Sequence, residues 1–261
     1  MKILIIGDIY GKAGKTAIQK YLPYMKEQLA TDIVIANAEN TSEGGKSLVE
    51  ADYKQLSQAG IDYFTMGNHT FRNKDINNYI DKIDNMVRPA NWPDRAKGKG
   101  FIIFDYKGKK ILLMNLLGQA FIKIGPKIAS SPFEIGDEIL ANNEYDLAII
   151  DFHGEATAEK IVIGTYFSDR VGIFFGTHTH VQTADERIIN GSTAFITDVG
   201  MTGVLDSAIG ADMEAVLNRM KDGIRAPFIE ATGKVRINAI LVTVDDNTLK
   251  PKNIERITLN P

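Results

Sequence analysis

The sequence predicts an α/β fold in which two packed mixed β-sheets are flanked by helices. In the first half of the chain, apolar runs alternate with helical spacings in the order β-α-β-α-β, which is typical of right-handed crossovers and a largely parallel sheet. The second half contains two hairpin signals and further strands between helices. Because no linker, repeat or low-complexity stretch separates the halves, residues 1–261 are expected to form a single domain.

Short apolar runs and apolar residues at steps of three or four define the elements of the first half. The runs predict strands at 3–6, 33–36, 63–66 and 86–90. The spacing of three or four residues predicts helices at 17–29, 47–59 and 73–80, the last of which is polar. Gly60 ends the second of these helices.

In the second half, turn residues between apolar runs predict two hairpins. One joins strands at 101–106 and 110–116, and the other joins strands at 187–189 and 193–196 through Asn190-Gly191. Further strands are predicted at 146–152, 171–175, 235–244 and 254–259. Helices are predicted at 132–141, 156–167 and 212–221.

Composition excludes several classes of protein. Hydrophobic residues make up 44% and charged residues 24% of the 261 residues, as in soluble globular proteins. The net charge of −3 argues against general nucleic-acid binding, and the absence of cysteine excludes disulfides and thiolate sites. No apolar stretch approaches the ~20 residues of a membrane span, and the first apolar run is too short for a signal peptide. We therefore expect a cytoplasmic protein and leave a homo-oligomer open.

The stretch G-D-I-Y-G-K-A-G-K-T at 7–16 looks like a phosphate-binding P-loop. That motif needs a glycine at position 9, where this chain has Ile9, so the spacing argues against it. Asp8 would also repel a phosphate unless a cation lay between them. Two interpretations of Asp8 remain at this point, a helix cap in a strand-to-helix turn or a metal ligand.

Polar residues follow five predicted strands, at the point where each strand ends. The set comprises four histidines and four oxygen donors: His69, His153, His178 and His180 with Asp8, Glu39, Asn40 and Asn68. Ligands bind at the carboxyl ends of the strands in open α/β sheets. Imidazole and carboxylate donors without thiolates suit Fe, Mn, Zn or Co. The number of donors exceeds what one ion needs, which favours two ions bridged by a carboxylate.

Two of these motifs resemble the calcineurin-like metallophosphoesterase superfamily. They are G-N-H at 67–69 and G-T-H-T-H at 176–180. The chain departs from the superfamily pattern at three places. Tyr10 stands where D-x-H has its histidine, N-A-E-N at 37–40 replaces Gly-Asp, and Thr70 follows G-N-H.

These departures resemble one branch, the YmdB-like bacterial phosphodiesterases. The branch shares N-A-E-N and G-N-H-T, the segment D-F-H-x-E-A-T-x-E-K at 151–160, and G-T-H-T-H-V-Q-T-A-D at 176–185. The match includes neighbours without an obvious ligand role, which makes the resemblance specific. It implies a four-layer α/β/β/α sandwich and two metal ions per chain, Fe before Mn, Zn or Co.

The same resemblance implies a role for each residue. Asp8, Asn40 and His180 are expected to hold one ion, and Asn68, His153 and His178 the other. Glu39 is expected to bridge the ions, and Asn40 to replace the histidine missing at position 10. His69 follows a ligand directly and stays free to act as general acid.

The expected activity is hydrolysis of a phosphodiester bond in a nucleotide, a cyclic one by the branch resemblance. A metal-activated hydroxide attacks phosphorus in line, and His69 protonates the leaving alkoxide. Two alternatives stay open. One is a phosphomonoesterase or nucleotidase at the same site, and the other is a catalytically weak nucleotide-sensing regulatory protein.

Three further sets of residues keep two interpretations each. The polar residues at 155–160 orient ligands or form a solvated helix face. Segment 198–203 lines the substrate pocket or forms a plain turn. Lys12 and Lys15 steer a phosphate or cover the start of a helix.

Overall fold

The computed structural model describes residues 1–223 and 229–261. In chain order its strands are β1 Lys2–Ile6, β2 Asp8–Ile9, β3 Ile33–Asn37, β4 Tyr63–Thr65, β5 Met86–Val87, β6 Phe101–Tyr106, β7 Lys109–Leu117, β8 Leu147–His153, β9 Ile173–Thr177, β10 Arg187–Ile189, β11 Thr193–Ile196, β12 Met201–Val204, β13 Val235–Val244 and β14 Pro251–Leu259. Its helices are α1 Gly11–Leu29, α2 Glu50–Ala59, α3 Pro132–Ala141, α4 Thr157–Phe167 and α5 Met213–Asp222, with short 3-10 helices at Lys74–Asn78 and Ile80–Lys82.

The strands form two mixed sheets. The first has the order β2-β12-β13-β1-β3-β4-β5, with β14 paired to β13. In it β1, β3, β4 and β5 are parallel, and β13 runs antiparallel to β1. The second has the order β10-β11-β9-β8-β7-β6, with parallel central strands and antiparallel hairpins at both edges. Both predicted hairpins are thus confirmed.

Alternating residues of β1 show how the layers stack. Ile3 and Ile5 face a core that also contains Ile149 of the second sheet. Leu4 and Ile6 face the opposite way and pack with α1 and α2. A third core lies between the second sheet and helices α3 and α4. The layers are therefore α/β/β/α, which confirms the predicted fold class.

Burial of apolar side chains in the middle layer holds the two sheets together. Each fully buried isoleucine in that layer contributes roughly 1.5–3 kcal/mol relative to an exposed one. Since residues of both sheets share this core, the sheets are packed face to face. The assignment of 1–261 to one domain stays a prediction.

Helix α1 begins at Gly11, six residues earlier than predicted, so G-K-T at 14–16 lies inside a helix. The buried positions of its first turns include Gly11 and Gly14, which carry no apolar signal. The helix is capped by Tyr10 without any side-chain hydrogen bond. The interpretation of Asp8 as a helix cap is therefore wrong.

Three other predicted elements are shorter in the structure. Helix α2 begins at Glu50 rather than at residue 47, because Ser47 has a φ of 62° and its hydroxyl donates to Thr70 O at 2.6 Å. The polar helix at 73–80 is replaced by the two 3-10 helices. Strand β5 ends at Val87, two residues before Pro89, which has no N–H to donate to a ladder.

The sequence does not predict two short strands, β2 and β12, which hold Asp8 in place. Met201 and Thr202 of β12 pair in parallel with Asp8 and Ile9 of β2. The interpretation of 198–203 as a plain turn is thus wrong for its second half. Within residues 1–223 and 229–261, none of the helices combines the length and the apolar character that crossing a membrane requires.

Candidate metal centre

All eight predicted site residues lie close together at the carboxyl ends of the parallel strands. Asp8 opens β2, His153 closes β8, and the others follow β3, β4 and β9 within a few residues. Contacts of 2.6–3.7 Å connect each of them to at least one other member of the set: Asp8, Glu39, Asn40, Asn68, His69, His153, His178 and His180.

The first group of side chains surrounds the Nε2 atom of His153. Glu39 Oε1, Asn68 Oδ1 and His178 Nδ1 each lie 3.0 Å from that atom. His153 and Glu39 have no exposed side-chain surface. Three potential ligand atoms therefore converge on a fourth inside the protein, and the set Glu39, His153 and His178 has the spacing of a candidate metal site.

The second group lies on the other side of Glu39. Asn40 Nδ2 is 3.1 Å from His180 Nε2 and 3.4 Å from Glu39 Oε1. Asp8 Oδ1 is 3.7 Å from His180 Nε2. Glu39 thus contacts members of both groups, which is where a shared carboxylate has to lie.

Hydrogen bonds outside the cluster orient three of the imidazoles. His153 Nδ1 lies 2.9 Å from Thr177 Oγ1, whose hydroxyl donates to Asp151 Oδ1 at 2.7 Å. Since that hydroxyl has one proton, it must accept from His153 Nδ1–H. His178 Nε2 lies 3.0 Å from Glu155 Oε2 and His180 Nδ1 lies 2.9 Å from the Ile209 carbonyl, so both nitrogens are donors. In the neutral form, each ring then presents a lone pair to the cluster.

Burial and neighbouring charges shift the pKa values of the first group. Burial favours a neutral Glu39, but the imidazoles of His153 and His69 hold its pKa below the usual range. Burial also favours a neutral His153, but Glu39 outweighs it and raises the pKa of His153 to about 9. Burial, together with positive His153, lowers the pKa of His178 to about 2. Glu39 is therefore ionised and His178 neutral, the forms that coordinate metals, whereas His153 has to release its Nε2 proton when it binds an ion.

The donor set and the space around it fit metal ions. The donors are carboxylates, carboxamides and imidazoles, which suit borderline and hard ions. Asp8 Oδ1 is buried and has no hydrogen-bond partner among the described residues, and burial raises the pKa of Asp8. A buried carboxylate needs a compensating partner. A side chain at Gly67 would collide with Glu39 and His153, so glycine keeps the space between the ligands open.

His69 lies at the edge of the cluster rather than inside it. Its Nδ1 is 2.7 Å from Asn40 Oδ1, and its backbone N–H donates to Glu39 Oε2 at 2.6 Å. Nε2 has no protein partner among the described residues, and 30% of the side chain is exposed. One ring nitrogen is therefore held and the other is free.

Comparison with known proteins assigns the chain that carries this cluster to a family. A family model described as YmdB-like protein matches residues 4–257. The chain belongs to the YmdB-like family. A 2′,3′-cyclic-nucleotide 2′-phosphodiesterase from Bacillus subtilis is 42% identical over 262 residues, covering 100% of this chain and 97% of that protein.

Solved structures of two other bacterial proteins have the same fold. A phosphatase from Mycoplasma pneumoniae has a TM-score of 0.94 at 38% identity and covers 100% of this chain and 93% of its own. A protein from Thermus thermophilus, described as hypothetical, has a TM-score of 0.92 at 33% identity and covers 100% and 99%. The resemblance to the YmdB-like branch is thereby confirmed.

In this YmdB-like protein, a buried ion pair supports the loop that carries two of the histidines. Lys160 Nζ donates to Asp198 Oδ2 at 2.6 Å and to Thr177 O at 2.8 Å. Asp198 Oδ2 also accepts from the backbone N–H and the hydroxyl of Thr179, at 3.1 and 2.7 Å. The solvated-face interpretation of 155–160 is thus wrong for Lys160, which is fully buried.

A cleft of about 380 Å³ opens above the cluster. Its lining includes five of the predicted site residues: Glu39, Asn40, His69, His178 and His180. Tyr10, Ala208 and Ile209 add an aromatic and apolar wall, while Lys46 and Arg72 add positive charge. Such a mixture suits a ligand with an apolar ring system and negative charge.

Several residues of the YmdB-like site escaped sequence reasoning. The cleft is also lined by Lys46, Arg72 and Tyr10, and no sequence motif predicted that these residues contact a ligand. Lys12 and Lys15 instead line a neighbouring cavity, and Lys15 is paired with Asp52, so neither faces the cluster. The expectation that they steer a phosphate at this cluster is not supported.

Proposed function

We propose that this protein is a phosphodiesterase that uses two metal ions to hydrolyse a phosphodiester bond in a small, cyclic nucleotide. The observation that carries the proposal is the orientation of three imidazoles. Each donates outward, to Thr177, Glu155 or the Ile209 carbonyl, and directs its other nitrogen toward other members of the cluster. Buried N–H groups need acceptors in any core, but metal ligands also require that their remaining nitrogens point to one common place, as they do here.

The enzyme class rests on the relatives. The Bacillus subtilis protein is named a 2′,3′-cyclic-nucleotide 2′-phosphodiesterase, and the Mycoplasma pneumoniae structure is described as a phosphatase. Both names describe hydrolysis of phosphoric esters. The prediction that this chain is an enzyme that hydrolyses phosphoric ester bonds is confirmed by these relatives.

We assign the ligands to two ions. Asp8 and His180 would hold one ion together with Asn40, which has to present its Oδ1 because Nδ2 carries two protons. Asn68, His153 and His178 would hold the other ion, and Glu39 would contact both. When bound, such ions supply a nucleophile at neutral pH and neutralise charge on phosphoryl oxygens. By family resemblance Fe is the first candidate, with Mn, Zn or Co as alternatives.

The protein's own residues supply orientation and a proton. Glu39 remains ionised and brings a negative charge into a fully buried position between the two groups. His69 Nδ1 donates to Asn40 Oδ1, so a proton for a leaving oxygen in the cleft has to be carried on Nε2 by the doubly protonated imidazolium form. His69 is therefore proposed as the general acid.

The cleft and the relative's name support a nucleotide substrate. A volume of about 380 Å³ is in the range of small-molecule sites. Tyr10 is fixed at its wall, since a Cβ on Gly45 or Gly210 would lie 2.6 or 2.5 Å from its ring. A fixed aromatic wall suits a nucleoside, and a cyclic nucleotide is the substrate class in the name of the 42% identical relative.

Metal analysis and a substrate panel test the proposal together. Protein purified without chelator should contain about two ions per chain. It should hydrolyse 2′,3′-cyclic nucleotides and bis-p-nitrophenyl phosphate, but p-nitrophenyl phosphate poorly. The reverse preference would establish a phosphomonoesterase, which the phosphatase description of one relative favours. Two ions without any hydrolysis would establish the regulatory alternative, and one ion or none would overturn the two-metal assignment.

A further inference from the structure

Two cationic side chains at the cleft have no protein partner. Lys46 and Arg72 both line the cleft and are exposed. Within residues 1–223 and 229–261, neither side chain has a hydrogen bond or an ion pair, whereas Lys15, Lys54 and Lys110 each pair with a carboxylate. The positive charge at the cleft is therefore available to a ligand.

The backbone brings the two segments that carry these cations together beside the cluster. Lys46 lies six residues after Asn40, and Arg72 lies three residues after His69, whose carbonyl accepts from Arg72 N at 2.9 Å. The two loops are tied together by the buried hydroxyl of Ser47, which donates to Thr70 O at 2.6 Å. The two segments are thus linked by a short hydrogen bond, and both side chains reach the same cleft.

We infer that Lys46 and Arg72 form a second anion subsite, which binds a phosphate of the substrate other than the one that is hydrolysed. The inference rests on the proposed function. Glu39 and Asn40 are buried at the floor of the cleft, where the reacting phosphodiester would lie. The cations are exposed at its wall, so they meet a different part of the substrate.

The chemistry of a nucleotide indicates which phosphate this is. In a 2′,3′-cyclic nucleotide the reacting phosphodiester lies on one side of the ribose and the 5′ oxygen on the other. A guanidinium and an ammonium both bind phosphate oxygens, the guanidinium in a bidentate manner. The preferred substrate therefore carries a phosphate on its 5′ side, either a terminal phosphate or the linkage to a preceding nucleotide.

Three substrates with the same reacting group test this inference. They are adenosine 2′,3′-cyclic phosphate, its 5′-phosphorylated form, and a dinucleotide that ends in a 2′,3′-cyclic phosphate. The wild type should show a kcat/KM about tenfold higher for substrates with a 5′-side phosphate, as expected for two solvent-exposed charge contacts. A preference for the 5′-phosphorylated form over the dinucleotide identifies a terminal phosphate, and the converse identifies an oligonucleotide end.

Substitutions then locate the effect. Lys46→Ala and Arg72→Ala should each bring the ratio of the two kcat/KM values closer to one, and the double variant should bring it to about one. Lys74→Ala, an exposed lysine outside the cleft lining, should keep the wild-type ratio. The wild-type preference should also shrink as salt is raised, because exposed charges are screened.

Each other outcome has a defined meaning. Equal kcat/KM values in the wild type overturn the subsite but leave the proposed function intact. Variants that lower all three values by one factor also overturn it, since the cations then act on the reacting phosphate. If no cyclic nucleotide is hydrolysed, the proposed function fails. The subsite is then decided by calorimetry, where nucleoside 3′,5′-bisphosphate must bind about tenfold tighter than nucleoside 3′-phosphate.

Discussion

Lys160 and Asp198 form an ion pair of 2.6 Å in which neither side chain has more than 1% of its surface exposed. The pair joins helix α4 to the segment after β11. Lys160 also donates to Thr177 O, and Asp198 also accepts from Thr179, so the pair contacts the loop that follows β9. In that loop His178 and His180 have φ values of 96° and 65°, which cost energy for residues other than glycine. The ion pair therefore holds two candidate ligands in a strained backbone.

Removing one partner of this pair should be strongly destabilising. Lys160→Met keeps most of the side-chain volume but leaves the Asp198 carboxylate buried without its counter-charge. Loss of one member of a buried ion pair costs about 3–5 kcal/mol. We expect a decrease of that size in the free energy of unfolding of the metal-free protein, measured by urea denaturation.

Lys54→Met is the matched control for this change. Lys54 also forms an ion pair, with Glu50 on the same helix, but 63% and 44% of the two side-chain surfaces are exposed. An exposed pair of this kind is worth about 0.5 kcal/mol. Equal effects of the two substitutions would show that the Lys160 pair contributes nothing beyond a surface contact.

The role of Lys160 shows where sequence reasoning reaches its limit. A lysine on a helix is usually solvated, and its burial here depends on Asp198, which lies 38 residues away in the chain. The eight cluster residues could be predicted because the carboxyl ends of parallel strands meet at one edge. Their outer partners could not, since the Ile209 carbonyl that orients His180 has no side-chain signature.

The fold was predictable where one face of an element is apolar. The outer helices show that pattern and strand β1 is apolar on both faces, so the layers followed from the sequence. Strand β12 did not, because it has four residues and includes Thr202 and Gly203. It pairs with a two-residue strand at Asp8, and such short pairing is set by tertiary contacts.

Glu155 should control metal affinity without contributing to the stability of the fold. Its carboxylate contacts His178 Nε2 at 3.0 Å and is half exposed. Glu155→Ala removes the acceptor that directs Nδ1 toward the cluster, so metal affinity should fall about 10–100-fold. The free energy of unfolding of the metal-free protein should change by less than about 0.5 kcal/mol. Glu155→Gln, which restores an acceptor oxygen, should recover much of the affinity, and unchanged affinity in the alanine variant would contradict the role.

Glu39 should be needed for both ions because it lies between the two groups. Glu39→Gln keeps the shape and removes the charge, and both ions should be weakened by more than the roughly 10–100-fold that an outer partner costs. Metal content after dialysis measures the effect. Glu43→Gln is the control, since Glu43 is exposed on the same loop and lines the neighbouring cavity. Two tightly bound ions in the Glu39 variant would exclude a bridging role.

His69 should matter most for substrates whose leaving group needs a proton. His69→Ala should keep both ions, because the ring contacts the cluster through Asn40 and Glu39 and lies at its edge. For a cyclic nucleotide, whose leaving group is an alkoxide, kcat should fall about 10²–10⁴-fold. For bis-p-nitrophenyl phosphate the loss should be much smaller, since p-nitrophenolate is a weak base and leaves without protonation. If both substrates lost the same factor while metal content stayed at two ions, His69 would act by positioning or charge rather than as a general acid.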